Sequence, residues 1–484
     1  MSMPRESVVA LHPGDLRLVT AWAGTRQEPA LSEDANEPTR ADSPSVIALD
    51  PAGTLHGHAA LQAAATPGPE RVTWRYRREA LATGAVLARD AAGNGVTSET
   101  YLACAARRAV WESRVWGTAS DATIALVLPH DTPPEVAARL RLSVSGVCGR
   151  SVAIVGEPEA LAAACGFAGG LHLVASLDDD ALRVRLVRRD AGVQVLAEEA
   201  DVASGLRAIR ERWLEEWQED LAAVAPDGQA FGDGENAEFE RVWQDGWDAV
   251  DDGAHGAALV STMLRRSRLH AVIATPAGVA SHLRRPAEAL RALAGAMLAQ
   301  FPDKPLQVVI VAATGGEALR KALERVPALA GIPVRIVGRD AYARGGAAVA
   351  QRGTGSTHMA IAPHPLGVIG YEDGGARMRP LFDKGVALPA TAQFAVAVNR
   401  DAQQKLAITL SEGVQAGSER RHEFGPLLGS GVQRIGVTVT WTPEGVVQVE
   451  AADRDDGTAL PSLGATEIRG GVPLVNPAQW AEFA

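Results

Sequence analysis

The chain is poor in cysteine, with three in 484 residues (Cys104, Cys148 and Cys165), no CxxC pair and no metal-type spacing among them. A sparse, odd set excludes a disulfide framework and suits a reducing compartment, so all three are expected as small core residues. Positive charge is also short: lysine and arginine number 47 against 58 aspartate and glutamate, a net charge of −11. That argues against a nucleic-acid partner, which requires a basic field to displace counterions. No stretch approaches the ~18 consecutive apolar residues of a membrane span, and Met1 to Ser7 lacks the apolar core of an export signal. A cytoplasmic protein without membrane contact is the expectation. GxSxG, HExxH and GxxxxGK[ST] are all missing, which leaves the common hydrolase, zincin and P-loop readings without motif support.

What is present is an ordinary globular balance, 46% hydrophobic and 22% charged, in a chain long enough for two to four domains. The first half alternates strand and helix signals. Short β-rich runs at Ser7–Leu11, Leu16–Ala21 and Ser45–Leu49 precede a helix at Ser98–Trp111, a strand at Ala122–Leu128, a helix at Pro134–Ser145 and a strand at Ser151–Val155. That order suggests βαβ units on a partly parallel sheet. Leu206, Ile209, Trp213, Trp217 and Leu221 mark one face of a helix, and Trp243 and Trp247 repeat the spacing. Core packing is the expected use of both sets. Proline at 286 reads as the start of a further helix ending at Phe301, followed by a strand at Leu306–Val311 and a helix at Glu317–Arg325. Past Gly353 β signals and turns prevail, with strands expected at Phe394–Val398, Leu406–Leu410, Ile435–Thr440 and Val446–Ala451. His56 and His58 alternate, which on a strand would place both on one face, without a third ligand for zinc.

The order of segments resembles the 70-kDa heat-shock (DnaK-type) chaperone family. Ser43-Pro44-Ser45-Val46-Ile47-Ala48 with Gly53 and Gly57 is similar to that family's TPSVVAF…G…G, and Glu157 to Ala163 to its EPTAAAL. Asp340 followed by Gly346-Ala347-Ala348-Val349 is similar to PDEAVAYGAAV. Pro363, Leu366-Gly367-Val368 and Leu388-Pro389 look like TPLSLGI…TIP, and Val437 to Asp453 like VTFDIDADGILHVSAKD. The matches run collinearly over roughly residues 7–457. The resemblance implies an actin-like two-lobed nucleotide-binding-type domain over 1–350, a linker over 351–362, a β-sandwich peptide-binding-like domain over 363–460 and a short tail over 461–484. About 25 residues follow Gly457, too few for the helical lid of those chaperones.

The nucleotide motifs depart from the family. Its first hairpin reads DLGTT, where this chain has His12-Pro13-Gly14-Asp15-Leu16: Gly14 remains, but the metal-side aspartate and both hydroxyls are lost. Proline also removes a backbone donor. Its second hairpin, DLGGGT, matches Ser176-Leu177-Asp178-Asp179-Asp180-Ala181, so three carboxylates replace the glycines that would admit phosphate. Like charges about 5 Å apart repel by on the order of 3 kcal/mol at an effective dielectric near 20. A solvated acidic turn is the expected state of the three aspartates, with a divalent-cation site as the alternative. The family's GGS(S/T)R turn falls at Ala312 to Gly316, and its adenine-clamping helix near Asp245 to Asp248, where no Lys or Arg lies.

By this matching, Glu157 and Arg77 are the catalytic candidates, standing where the family has its metal-water Glu and catalytic Lys. Gly14, Gly315, Gly316 and Asp340 would form a vestigial ATP site. Val368, Phe394 and Leu406 would line a peptide pocket in the β-domain. The linker, TGSTHMAIA over Thr354 to Ala362, lacks the leucine-rich acidic strand that docks onto the family's nucleotide domain, so weak nucleotide-driven coupling is expected. The reading is a chaperone-like polypeptide-binding or scaffolding protein with lost or impaired ATP hydrolysis. It expects no resident cofactor and no metal, with extended polypeptide segments and other chaperones as partners. An ATP-dependent chaperone holding ATP and Mg2+ in a diverged site, and an actin-fold small-molecule kinase, stay open as alternatives.

Overall fold

The computed structural model describes residues 7–24, 28–31, 42–50, 53–65, 72–89, 95–115, 122–190, 192–224, 259–265, 268–274, 276–301, 303–312 and 315–352, then the strands and flanks of a β-rich module between 362 and 469. It is a mixed α/β arrangement followed by that module. Among the described residues no helix is long and apolar enough to cross a membrane.

The α/β part repeats one topology. Strands β1 (Val8–Pro13), β2 (Arg17–Ala23) and β3 (Ala30–Leu31) form an antiparallel meander, with β4 (Asp42–Pro44) also pairing β2. A small insertion follows: β5 (Val46–Asp50), β6 (Gly53–His56), helix α1 (Gly57–Ala65), β7 (Val72–Arg75), α2 (Arg78–Thr83), β8 (Ala88–Arg89) and β9 (Gly95–Val96). Helix α3 (Ser98–Val115), strand β10 (Thr123–Leu128), helix α4 (Pro134–Cys148) and strand β11 (Val152–Gly156) then complete the sheet in the order β11-β10-β1-β2-β3, with β10 and β11 parallel to β1. After helix α5 (Glu157–Cys165) the pattern recurs. Strands β12 (Gly170–Leu177), β13 (Leu182–Arg189) and β14 (Val193–Asp201) form the second meander, and helix α6 (Leu206–Val224) leads to a hairpin of β15 (Leu259–Arg265) and β16 (Arg268–Ala274). Helix α7 (Pro276–Gln300), β17 (Gln307–Val311), helix α8 (Gly316–Leu323), β18 (Val334–Val337) and helix α9 (Asp340–Gln351) follow. The second sheet has the order β14-β13-β12-β17-β18, with β17 and β18 parallel to β12.

The period-two alternation of these strands sorts their side chains onto two faces. Val9, Leu11, Ile124 and Leu126 pack outward against α3 and α4, while Val8, Ala10, Ala125 and Val127 face inward. In the second sheet Leu173, Ala175, Val308 and Ile310 meet Leu206, Leu290 and Leu319, while Val174, Val309 and Val311 face inward. Helices α5 and α9 fill the space between the two inward faces, with Ala160, Leu161, Tyr342 and Ala347 in one cluster with both sheets. Small residues permit this close packing: a Cβ at Gly345 would stand 1.8 Å from the Ala160 carbonyl oxygen, and one at Gly346 would stand 2.2 Å from Val127 Cγ2.

The β-rich module consists of two mainly antiparallel sheets. One holds β20-β19-β22-β23-β26, built from β19 (Leu366–Glu372), β20 (Gly375–Phe382), β22 (Ile408–Glu412), β23 (Arg420–Pro426) and β26 (Ser462–Leu463). The other holds β21-β24-β25-β27, from β21 (Ala390–Ala397), β24 (Arg434–Trp441), β25 (Val446–Asp453) and β27 (Glu467–Arg469). Every second residue of strand β24 is buried, namely Ile435, Val437, Val439 and Trp441, and the two sheets share a core with Leu366, Phe382 and Leu410. Leu142 of α4 belongs to that same cluster.

Several expectations need correction. The helix expected from Pro286 begins at Pro276, and Pro286 lies inside it. The apolar face continues on both sides of the proline, with Leu283, Leu290 and Met297 seven residues apart and buried in one cluster. Packing of that face overrides the proline as a start signal. His56 ends β6 and His58 lies in α1, because Gly57 turns the chain at φ 58°, so the two do not share a strand face. The segment expected as a tail adds β26 and β27 to the two sheets. The linker residues 353–361 lie outside the described residues.

Candidate functional site

The two meanders turn their first hairpins toward each other. Gly14, Asp15 and Leu16 form the tip between β1 and β2, and Asp178 to Ala181 the tip between β12 and β13. Glu157 opens α5 immediately after β11, and Arg339 directly precedes α9. His12, Asp15, Arg78, Glu157, Asp178, Asp179, Asp180 and Arg339 line what lies between them, a cavity of about 10 Å³. That is at the lower limit for one water molecule, against ~300–1,000 Å³ for a small-molecule pocket.

Side chains fill the space in matched pairs. Six of them close a ring of alternating charge: Arg78–Glu157 at 2.8 Å, Glu157–Arg185 at 3.0 Å, Arg185–Glu198 at 2.7 Å, Glu198–Arg183 at 3.3 Å, Arg183–Asp180 at 2.7 Å and Asp180–Arg78 at 3.5 Å. Arg183 also reaches Asp178 at 3.2 Å, Arg339 pairs with Asp179 at 2.5 Å, and Arg207 meets Asp15 at 3.1 Å. His12 Nε2 lies 3.2 Å from Glu157 Oε1. Backbone donors are spent too: the Gly14 amide donates to the Arg17 carbonyl, and the Leu16 amide to Asp179 Oδ2. Helix α6 is capped from the second tip, its Leu206 and Arg207 amides donating to the Asp178 and Asp179 carbonyls.

Burial would raise the Glu157 carboxyl, but Arg78, Arg185 and His12 together hold it well below the usual carboxylate range. Burial depresses the His12 imidazole despite Glu157 beside it. For Asp180 the burial penalty is outweighed by the hydrogen bond from Arg183 and the charge of Arg78. Asp15 behaves differently: burial pushes it up to about 6, and Asp179 and Asp180 push the same way. Its folded value lies above the unfolded 3.8, so between about pH 4 and 6 the folded chain holds the extra proton and stability falls as pH rises. At 1.36 kcal/mol per unit, the parent chain should lose about 3 kcal/mol relative to Asp15→Asn across that window. Urea unfolding of both proteins at several pH values checks this; a constant difference would show that Asp15 does not titrate there.

The structure brings some of the expected residues together and displaces others. Glu157 and Gly14 are both in the site. Glu157 is 1% exposed, and a Cβ on Gly14 would come within 2.2 Å of both Arg339 and Asp179. Arg77 is replaced by its neighbour. Arg77 precedes α2 with its backbone exchanging hydrogen bonds with Ser98 Oγ, while Arg78 carries its guanidinium to Glu157. Asp340 is likewise displaced by one residue: it pairs with Arg344 along α9, and Arg339 enters the site. Gly315 and Gly316 do not line the cavity; Gly315 turns at φ 83° under Leu283, and Gly316 packs under Ile336.

The solvated acidic turn is overturned, since Asp178 and Asp179 are 3% and 2% exposed and face arginines. Their oxygens form no cation cage, and among the described residues no set of three or more His, Cys, Asp or Glu is arranged to hold a metal. Val368 on β19 and Phe394 on β21 sit on opposite sheets and both pack against the module's core; Leu406 lies outside the described residues. Leu206, Ile209 and Trp213 pack on the second sheet as expected. Trp217 and Leu221 fall outside the described side chains, and Trp243 and Trp247 outside the described residues. Arg183, Arg185, Glu198 and Arg207 were missed from the sequence. The alternating arginines of β13, in Leu182-Arg183-Val184-Arg185, were the available signal, because period two places both on one face.

The arrangement can brace two sheets, but it does not fit a triphosphate. The space is filled, the arginines are already paired, and the Gly14, Leu16 and Asp178 amides already have acceptors. No protein-family model matches the chain, and none of the curated proteins matches it at a significant level.

Proposed function

We propose that the chain is a divergent relative of the DnaK-type chaperones, with an actin-like two-lobed domain whose nucleotide cleft is closed by its own side chains. In this reading it acts as a polypeptide-binding or scaffolding protein without ATP turnover. The observation that carries the reading is the filled space between the two hairpin tips, reduced to about 10 Å³ and crossed by ion pairs. The repeated strand order, the paired helices α5 and α9 between the sheets and the β-rich module that follows support the family side. The two helices contain the Glu157–Ala163 and Asp340–Val349 segments on which the resemblance partly rests.

Isothermal titration of the folded protein with Mg-ATP tests the closed cleft. The expected result is no binding heat up to ~1 mM nucleotide, equivalent to less than about 4 kcal/mol of affinity. A one-to-one isotherm in the micromolar range would overturn the reading and favour an ATP-dependent chaperone. Anisotropy of labelled, extended apolar peptides tests the polypeptide half separately; absence of saturable binding would leave scaffolding through folded partners.

A further inference from the structure

The tip of the first hairpin crosses into the other sheet's core. Leu16 is 3% exposed and belongs to the second sheet's apolar cluster with Leu177, Leu182 and Leu206, while Leu18, two residues later, belongs to its own sheet's cluster. The Leu16 amide donates to Asp179 Oδ2 at 2.9 Å, and Asp15 beside it meets Arg207 of α6 at 3.1 Å. Arg339 closes the opposite side on Asp179, close enough to the tip that Gly14 has no room for a side chain. Apolar burial, a charge-assisted hydrogen bond and the Asp15–Arg207 ion pair therefore converge on three consecutive residues, with the Arg339–Asp179 pair closed against Gly14.

We infer that the Gly14-Asp15-Leu16 tip is a built-in bolt that keeps the two sheets closed on each other without any ligand. Where a cleft closes around a ligand, differential contacts of that ligand favour the closed form. In this chain the same work is done by Leu16 and its polar neighbours, so the closed form is the resting form. Opening would bring Leu16 into water, strip Asp179 of the Leu16 amide, part Asp15 from Arg207 and strain the Arg78–Asp180 edge of the charge ring. The inference rests on the self-filled cleft of the proposed function and is independent of what the β-rich module binds.

Distance measurement between spin labels tests it. One label goes on exposed Ala85 after α2 and one on exposed Arg285 of α7, each replaced by cysteine in a Cys148→Ser background. The full chain should give a single narrow distance that Mg-ATP does not alter. Leu16→Ala and Arg339→Met should each broaden the distribution and add a longer distance, with circular dichroism confirming that they are folded. A broad distribution in the parent, or a narrow one in both folded variants, would overturn the bolt and leave the answer of the nucleotide titration untouched. Hydrogen exchange on the unmutated chain supplies a test that needs no variant. The Leu16 amide should be as protected as the β12–β13 core amides; exchange at loop rates, with that core still protected, would overturn the inference.

Discussion

Glu157→Gln is expected to lower the unfolding free energy by about 3–5 kcal/mol, the usual cost of removing one partner from a buried ion pair. Glu157 is the only carboxylate among the described residues that pairs with both Arg78 and Arg185, and Arg185 is 2% exposed. Neutralising Glu157 leaves Arg185 with Glu198 alone and Arg78 with the 3.5 Å contact to Asp180. The cost arises because a guanidinium held out of water cannot shed its charge. Urea unfolding measures the loss, and the double variant Glu157→Gln with Arg185→Met identifies its source. If the penalty is an uncompensated buried charge, the second change should recover part of it. A double variant that loses the sum of the two single losses would mean that each residue acts through packing and not through the pair.

Gly345→Ala should cost about 3 kcal/mol, at the upper end of overpacking losses. A Cβ there would meet three Ala160 backbone atoms: the carbonyl oxygen at 1.8 Å, its carbon at 2.5 Å and Cα at 3.0 Å. Backbone cannot rotate away as a side chain can, so α5 and α9 would have to separate, loosening the layer that joins both sheets. Gly295→Ala in α7 is the control, because nothing lies within 4 Å of its added Cβ. That change should stabilise by about 0.5–1 kcal/mol through helix propensity. Thermal or urea melts of the two variants should therefore move in opposite directions. Similar shifts in the same direction would show that the α5–α9 contact tolerates an extra methyl group.

Much of the scaffold was legible because it rests on local pattern. The strands at Thr123–Leu128 and Val152–Gly156 and the helix at Pro134–Cys148 lie within a few residues of where apolar runs and proline placed them. The three consecutive carboxylates Asp178 to Asp180, and the lack of a hydroxyl residue directly after Gly14, were also plain in the residues. What those aspartates do was not. Their charge alone suggested exposure, and it is Arg183 nearby, with Arg339 distant in the chain, that allows them to be buried.

The sequence by itself determined the alternation of strands and helices, the β-rich module at the end of the chain and the run of three carboxylates at Asp178 to Asp180, because each follows from residue type and near-neighbour spacing. Only the tertiary structure decided that Arg78 and not Arg77, and Arg339 and not Asp340, would enter the cleft. Successive residues at a helix start point in directions about 100° apart, so a register matched by resemblance can choose the wrong neighbour. The tertiary structure also carried Leu16 into the opposite sheet and closed the charge ring. Most of those contacts join residues far apart in the chain, and their energy depends on a low-dielectric interior that exists only once both sheets have packed.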